Sequence, residues 1–272
     1  VLMNFNYIIL IVSEFICLFL PKGKTRVFNI LSKLSTKDWK YSRYNVKITN
    51  QNYNDLTYRL SLGAGYGFFY SQYLQSLTKK FVFLDFGSNL GIYSLISSYN
   101  LNCKYIIAFD PLPNIKKIVL KNFKLNKVKG KFYNFGIYNK NIKKKLYTIK
   151  NHSGISSIIK HKNKNKNNFI NATFKNYLFL KKIETDYKKH DFIIKIDVEG
   201  VEQILINQLK KSNILKGAKS IFVEIRKPKL LLKKKNIINQ LKKNNFILKK
   251  FIKPHDYFCL LYTSDAADDS LR

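Results

Sequence analysis

The sequence predicts an α/β protein with a mostly parallel, Rossmann-like sheet that ends in an antiparallel C-terminal strand. Three observations lead there. From residue 81 onward, short apolar runs alternate with longer helical or polar stretches, as in βαβ units. A glycine-bearing turn, Gly87 to Gly91, follows the first of those runs and opens a helix. Two further runs near the end are separated only by Lys253-Pro254-His255-Asp256, a connection short enough for a hairpin.

The strands are expected over 81–86, 104–109, 131–135, 192–196 and 220–225, followed by 246–252 and 257–262. The helices are expected over 90–99, 114–125, 201–208 and 230–243. Within this frame the catalytic domain spans 81–263. Residues 41–80 are rich in Tyr, Asn and Gly, include Gly63-Ala64-Gly65-Tyr66-Gly67, and are read as a cap on the cofactor site or a shaper of the acceptor pocket. Residues 160–168 (KHKNKNKNN) have nothing to bury and read as an exposed loop. The tail 264–272 (SDAADDSLR) reverses the composition of the rest and is read as foreign to the gene.

Residues 1–40 form a separate apolar and basic segment. The stretch 7–20 is apolar apart from Ser13 and Glu14, and Lys22, Lys24 and Arg26 follow it. It is shorter than the roughly 18–20 residues of a bilayer span. The expectation is a helix lying on the domain or at a dimer contact, with attachment to a membrane surface as the second reading.

The chain of 272 residues carries a formal net charge of +34. Such a charge suits anionic partners, nucleic acid among them. Only five of its 50 basic residues are Arg, however, and Asn, Ile, Tyr and Phe abound, a pattern that compositional drift produces without selection for phosphate binding. The three isolated cysteines, Cys17, Cys103 and Cys259, offer neither a disulfide framework nor a C-x-x-C metal site. A reducing, cytoplasmic setting is expected, with the inner membrane surface as a place of association.

The chemistry concentrates in three segments. In the first, Asp85 closes a buried strand, Gly87 admits a ligand close to the backbone, Ser88 and Asn89 follow, and Gly91 lies in the first helical turn, whose amides could receive an anion. The spacing differs from G-x-G-x-x-G, whose second glycine makes room for a pyrophosphate. S-adenosylmethionine, which has none, fits better. In the second, Asp110 ends the next strand 19 residues after Gly91, near the spacing of about 20 for an acid that binds ribose hydroxyls. Phe109 or Leu112 could offer an apolar face to the base.

In the third, Asp197 and Glu199 stand at and just past the end of a neighbouring strand, pointing into the same crevice. Methyl transfer to a hydroxyl needs alignment and removal of a proton, so either carboxylate is a candidate catalytic group. Asp197 could instead orient the acceptor or the cofactor amine, and Glu199 could bond the amides of the next helix. Glu202 is read as structural, paired with Lys195. Asp197 and Glu224 alone provide too few ligands for a metal, and none is expected.

With these residues in place, the chain resembles the FkbM-type methyltransferase family. The resemblance rests on FLDFGSNLGIYSL at 83–95, IIAFDPLPNIKKIVLKNFKLN at 106–126, GISSI at 154–158, IIKIDVEGVEQILI at 193–206 and FVEIR at 222–226. It implies a class I methyltransferase fold, S-adenosylmethionine as donor, and O-methylation of a sugar, glycan or secondary-metabolite hydroxyl. It also implies cofactor contacts from Asp85, Gly87, Asn89, Gly91 and Asp110, with Ile137 near the adenine and Ser156 and Ser157 beside Asp197 and Glu199. Two other readings stay open: an RNA methyltransferase, for which the charge is the motive, and a domain that binds the cofactor without catalysis.

Overall fold

The computed structural model describes residues 5–20, 22–49, 52–160, 168–225, 230–252 and 257–263. Most of the polar run 160–168, the connection 253–256 and the tail 264–272 lie outside them.

The chain opens with two helices, α1 (Phe5–Leu18) and α2 (Lys24–Leu31), and a short antiparallel pair, β1 (Trp39–Tyr41) and β2 (Lys47–Thr49). Two more helices follow, α3 (Leu56–Leu62) and α4 (Phe69–Ser76). Asp55 caps α3 by accepting from the Thr57 and Tyr58 amides, one of the strongest start signals a helix can carry.

The central units come next: β3 (Phe81–Phe86), α5 (Ile92–Ser98), β4 (Cys103–Phe109), α6 (Lys116–Leu125) and β5 (Gly130–Tyr133). After them run β6 (Gly136–Ile137), β7 (Ile142–Ile149), β8 (His152–Ser157), β9 (Asn168–Lys175) and α7 (Tyr177–Tyr187). The chain then returns through β10 (Asp191–Ile196), α8 (Glu202–Lys211), β11 (Ala218–Ile225), α9 (Leu230–Lys242), β12 (Phe246–Ile252) and β13 (Tyr257–Thr263).

Seven strands make the main sheet, in the order β12-β13-β11-β10-β3-β4-β5. All its pairings from β11 to β5 are parallel. Strand β13 is antiparallel to both β11 and β12, so the expected antiparallel strand is inserted one place in from the edge. Every residue of β3 is buried, the pattern of a strand covered on both faces. One face, with Phe81, Phe83, Ile106 and Ile193, packs on Leu95, Val119, Phe28, Tyr58 and Leu74. The other, with Val82, Leu84, Ile107 and Ile194, packs on Leu205, Leu209, Ile237 and Leu241. Residues of α2, α3 and α4 thus share the core of the first face. Asn122 on α6 and Asn126, which caps its end, bind the β2 backbone through the Thr49 and Lys47 amides at 2.7 and 2.9 Å.

Strand order reverses between β3 and β10: from β3 the chain proceeds outward to β4 and β5, then crosses back to β10 on the other side. The crevice at the carboxyl ends of those two strands is where open α/β sheets bind ligands.

The structure corrects the sequence reading in three places. The strand expected over 131–135 stops at Tyr133, because Asn134 turns to donate to the Asp110 and Leu112 carbonyls, both at 2.9 Å. A second sheet, β6-β9-β7-β8, fills a region the sequence left unassigned. The helix expected from residue 90 starts at Ile92, since Asn89 and Gly91 hold left-handed φ of 46° and 80°. Among the described residues, no helix is long and apolar enough to cross a membrane.

Leu84 is fully buried at the centre of β3. Leu84→Ala is expected to lower the unfolding free energy by about 2–5 kcal/mol, measured by urea denaturation; a loss near zero would contradict the two-sided packing.

Candidate functional site

The crevice is built from strand ends. Gly87 leaves β3 with a φ of 77°, and a Cβ there would fall 1.7 Å from the Asp197 carbonyl oxygen. Only glycine lets the β3 turn and the end of β10 come this close. The two segments are also joined by a bond from the Asp197 amide to the Phe86 carbonyl at 3.0 Å.

The turn is equally tied to β4. The Gly87 and Ser88 amides both donate to the Phe109 carbonyl, at 2.9 and 3.0 Å, and the Asn89 amide donates to Asp110 Oδ2 at 2.7 Å. The Leu112 amide reaches the other carboxylate oxygen, Oδ1, at 2.9 Å. The amides of Gly87, Ser88 and Asn89 are therefore already paired within the protein. Desolvation raises the Asp110 pKa to about 6, against the pull of those two amide bonds.

A cavity of about 480 Å³ opens over these strand ends. Gly87, Ser88, Asn89, Asp110, Ile137, Asp197 and Glu199, all singled out from sequence, line it, together with Phe109 and Ser156. Ser88 Oγ is buried there without a hydrogen-bond partner. Glu199 adopts a left-handed φ of 54°, uncommon for a residue with a long side chain. Its carbonyl accepts from Ser157 Oγ at 2.6 Å, so Ser157 supports the wall from behind.

Two expected contact residues stand behind the wall rather than on it. Asp85 is completely buried; Ser94 Oγ donates to its Oδ2 at 2.7 Å and Lys195 approaches its Oδ1 at 3.5 Å. Burial raises the Asp85 pKa, opposed by Lys195 and Ser94. Gly91 caps α5 and faces Phe123, whose ring a Cβ would meet at 3.3 Å. Leu112 is buried in the core and leaves Phe109 as the apolar surface at the cavity.

Lys195 is the largest addition to the sequence reading. Its Nζ lies 2.8 Å from the Gly87 carbonyl, 3.3 Å from Asp197 Oδ2 and 3.5 Å from Asp85 Oδ1, above the Tyr93 ring. Burial alone would lower its pKa, but the carboxylates of Asp197, Asp85 and Glu224 outweigh that and raise it. The signal was visible in Ile193-Ile194-Lys195-Ile196, because a lysine inside a buried strand demands acidic partners. Glu202, expected as its partner, instead accepts from the Gly200 amide at 2.6 Å at the start of α8.

The remaining wall is aromatic. Tyr70 stacks on Phe222 with ring centroids 3.9 Å apart and meets Tyr93 edge-on at 5.2 Å. Tyr66, Phe68 and Phe69 from the region before β3 complete it, with Glu224 at the end of β11. On the side of the second sheet, His152, Ser153 and Gly154 close the cavity.

Residues 46–223 match the family model described as Vibrio cholerae RfbT protein. The chain belongs to that family. The matched span holds every cavity residue of this family member except Glu224. Its sheet order, with antiparallel β13 between β11 and β12, is that of the class I methyltransferase fold. No curated protein matches the chain significantly.

Solved structures similar to it include precorrin-6y C5,15-methyltransferase from Geobacter metallireducens GS-15, at 11% identity, covering 72% of this chain and 86% of that one, with a TM-score of 0.43. Another is the Pyrococcus abyssi tRNA (uracil-54, C5)-methyltransferase in complex with S-adenosyl-L-homocysteine, at 10% identity, 84% and 45% coverage, and a TM-score of 0.47. A third is M. capricolum TrmK in complex with S-adenosyl-homocysteine, at 13% identity, 72% and 68% coverage, and a TM-score of 0.41.

Lys195→Met leaves Asp85 buried without its counter-charge, and is expected to lower the unfolding free energy by about 3–5 kcal/mol. Adding Asp85→Asn should restore part of the loss. Urea denaturation of the parent and the two variants decides the matter, and an unchanged midpoint for Lys195→Met would refute the charge bridge.

Proposed function

We propose that this chain is an S-adenosylmethionine-dependent O-methyltransferase acting on a hydroxyl of a sugar, glycan or secondary metabolite. One observation carries the reading: the β3 turn and the acid ending β4 are bonded to each other at the edge of one cavity. Ser88 Oγ, buried there without a protein partner, is a polar group suited to a ligand. The resemblance of 83–95, 106–126 and 193–206 to FkbM-type methyltransferases supports the choice of donor.

The residues fit the cofactor chemically. Each Asp110 oxygen accepts one amide bond and keeps a second lone pair, enough for two ribose hydroxyls. Phe109 and Ile137 offer an apolar surface for adenine, and Ser88 and Asn89 offer polar groups for the amino-acid end. When bound, S-adenosylmethionine supplies a sulfonium methyl group open to in-line attack by a nucleophile.

The chain's own residues supply the rest. Tyr66, Phe69, Tyr70 and Phe222 form an aromatic wall that excludes water and presents ring faces to the C–H surface of a sugar. Asp197, in the cavity wall, takes the proton from the acceptor hydroxyl. Lys195 holds that carboxylate in place and thereby acts as a positioning residue. Glu199, on its left-handed backbone, binds a second acceptor hydroxyl or steadies the first.

Calorimetry with S-adenosylmethionine is expected to show binding that Asp110→Ala weakens by at least about tenfold. The ionised carboxylate accepts the ribose bonds, so affinity should fall as pH drops through about 6. Asp110→Asn should flatten that profile. Unchanged affinity in Asp110→Ala would remove the ribose assignment.

Asp197→Asn is expected to retain cofactor affinity while methyl transfer drops by about 10²–10⁴-fold; full activity would exclude it as the base. The acceptor class is read by incubating labelled donor with separated glycan, lipid and RNA fractions of a cell extract. Label in the glycan or small-molecule fraction is expected, and label confined to RNA would replace this reading with an RNA methyltransferase.

A further inference from the structure

The side of α1 that points away from the protein is apolar. At 3.6 residues per turn, Phe5, Tyr7, Ile11, Val12, Phe15 and Leu18 fall within one arc of roughly 160°, and all are exposed, from 40% at Tyr7 to 75% at Leu18. The opposite stripe, Asn6, Ile9, Leu10, Ser13 and Cys17, is buried. Asn6 donates to the Trp39 carbonyl at 2.7 Å and accepts from Ser35, while Arg43 grips Glu14 through two bonds of 2.6 and 2.9 Å. Apolar residues therefore lie on both sides of the helix: Ile9, Leu10 and Cys17 pack with these polar groups against the protein, and a second apolar set faces outward.

Length and charge point to what covers that face. Fourteen residues extend about 21 Å, short of the roughly 30 Å hydrocarbon core, so α1 can lie on a bilayer but not cross it. Lys22 and Arg26, both exposed, follow the helix directly, with exposed Lys33 and Lys37 shortly after. A chain of net charge +34 repels a second copy of itself and is drawn to an anionic surface.

We infer that α1 docks the protein onto an anionic lipid bilayer, its apolar arc at the boundary between headgroups and acyl chains and the basic residues after it against lipid phosphates. The inference stands independently of the proposed activity.

Sedimentation of the full chain with vesicles tests it, comparing phosphatidylcholine alone with an equal mixture of phosphatidylcholine and phosphatidylglycerol. Pelleting is expected on the anionic vesicles and should decline as salt is raised. The double variant F15D/L18D, altered only at exposed positions, is expected to bind about tenfold more weakly or worse, with an unchanged circular dichroism spectrum. K22E/R26E should weaken binding without touching the apolar arc. The inference is overturned by absent pelleting on anionic vesicles, by equal pelleting on phosphatidylcholine alone, or by undiminished pelleting of F15D/L18D. It is also overturned if, without lipid, the parent sediments as a dimer and F15D/L18D as a monomer, which would assign the face to a second copy.

Discussion

Lys195 and Asp85 stand side by side on adjacent parallel strands, in register, with almost no access to water. A lone charge in that position would carry a large desolvation cost. The structure offsets it by surrounding the ammonium with Asp85, Asp197 and the Gly87 carbonyl, so the central pair of strands and the turn after β3 are held by one cation. Because Asp197 is one of those partners, the group that faces the cavity is positioned by the same bond network that stabilises the sheet.

Around this cation the backbone takes left-handed conformations that most residues avoid. Gly87 and Gly91 adopt them on one side of the crevice and Gly200 on the other; Asn89 and Glu199 do so despite their side chains. Gly87, Asn89 and Glu199 do so in the wall of the cavity, and Gly91 and Gly200 just outside it, where the chain turns into α5 and α8. At Gly87 the reason is plain contact, since no Cβ fits against the Asp197 carbonyl.

Much of the crevice was legible in the sequence because its markers are local. A continuous apolar run followed by D-F-G-S-N-L-G specifies a buried strand and a tight turn wherever it occurs, and Asp110 and Asp197 end the neighbouring runs in the same way. The second sheet was not legible. Strand β7, IKKKLYTI, exposes every second residue in its first half and buries Leu146 fully, so its alternating pattern in a lysine-rich chain resembles solvated coil. The aromatic wall was equally hidden, since Tyr66, Tyr93 and Phe222 lie far apart in a chain crowded with aromatics, and only packing brings three elements together.

The sequence by itself determined the α/β class, the strands of the main sheet, and the carboxylates at their ends, because strand propensity, glycine turns and buried periodicity act over a few residues. Tertiary structure alone decided which of those groups face the cavity. Asp85 and Asp110 each close an apolar run, yet Asp85 is drawn beneath the wall by Lys195 and Ser94, while Asp110 stays at the cavity's edge, bonded to the turn beside it. Side-chain direction at a strand end depends on partners from other strands, and no local pattern records who those partners are.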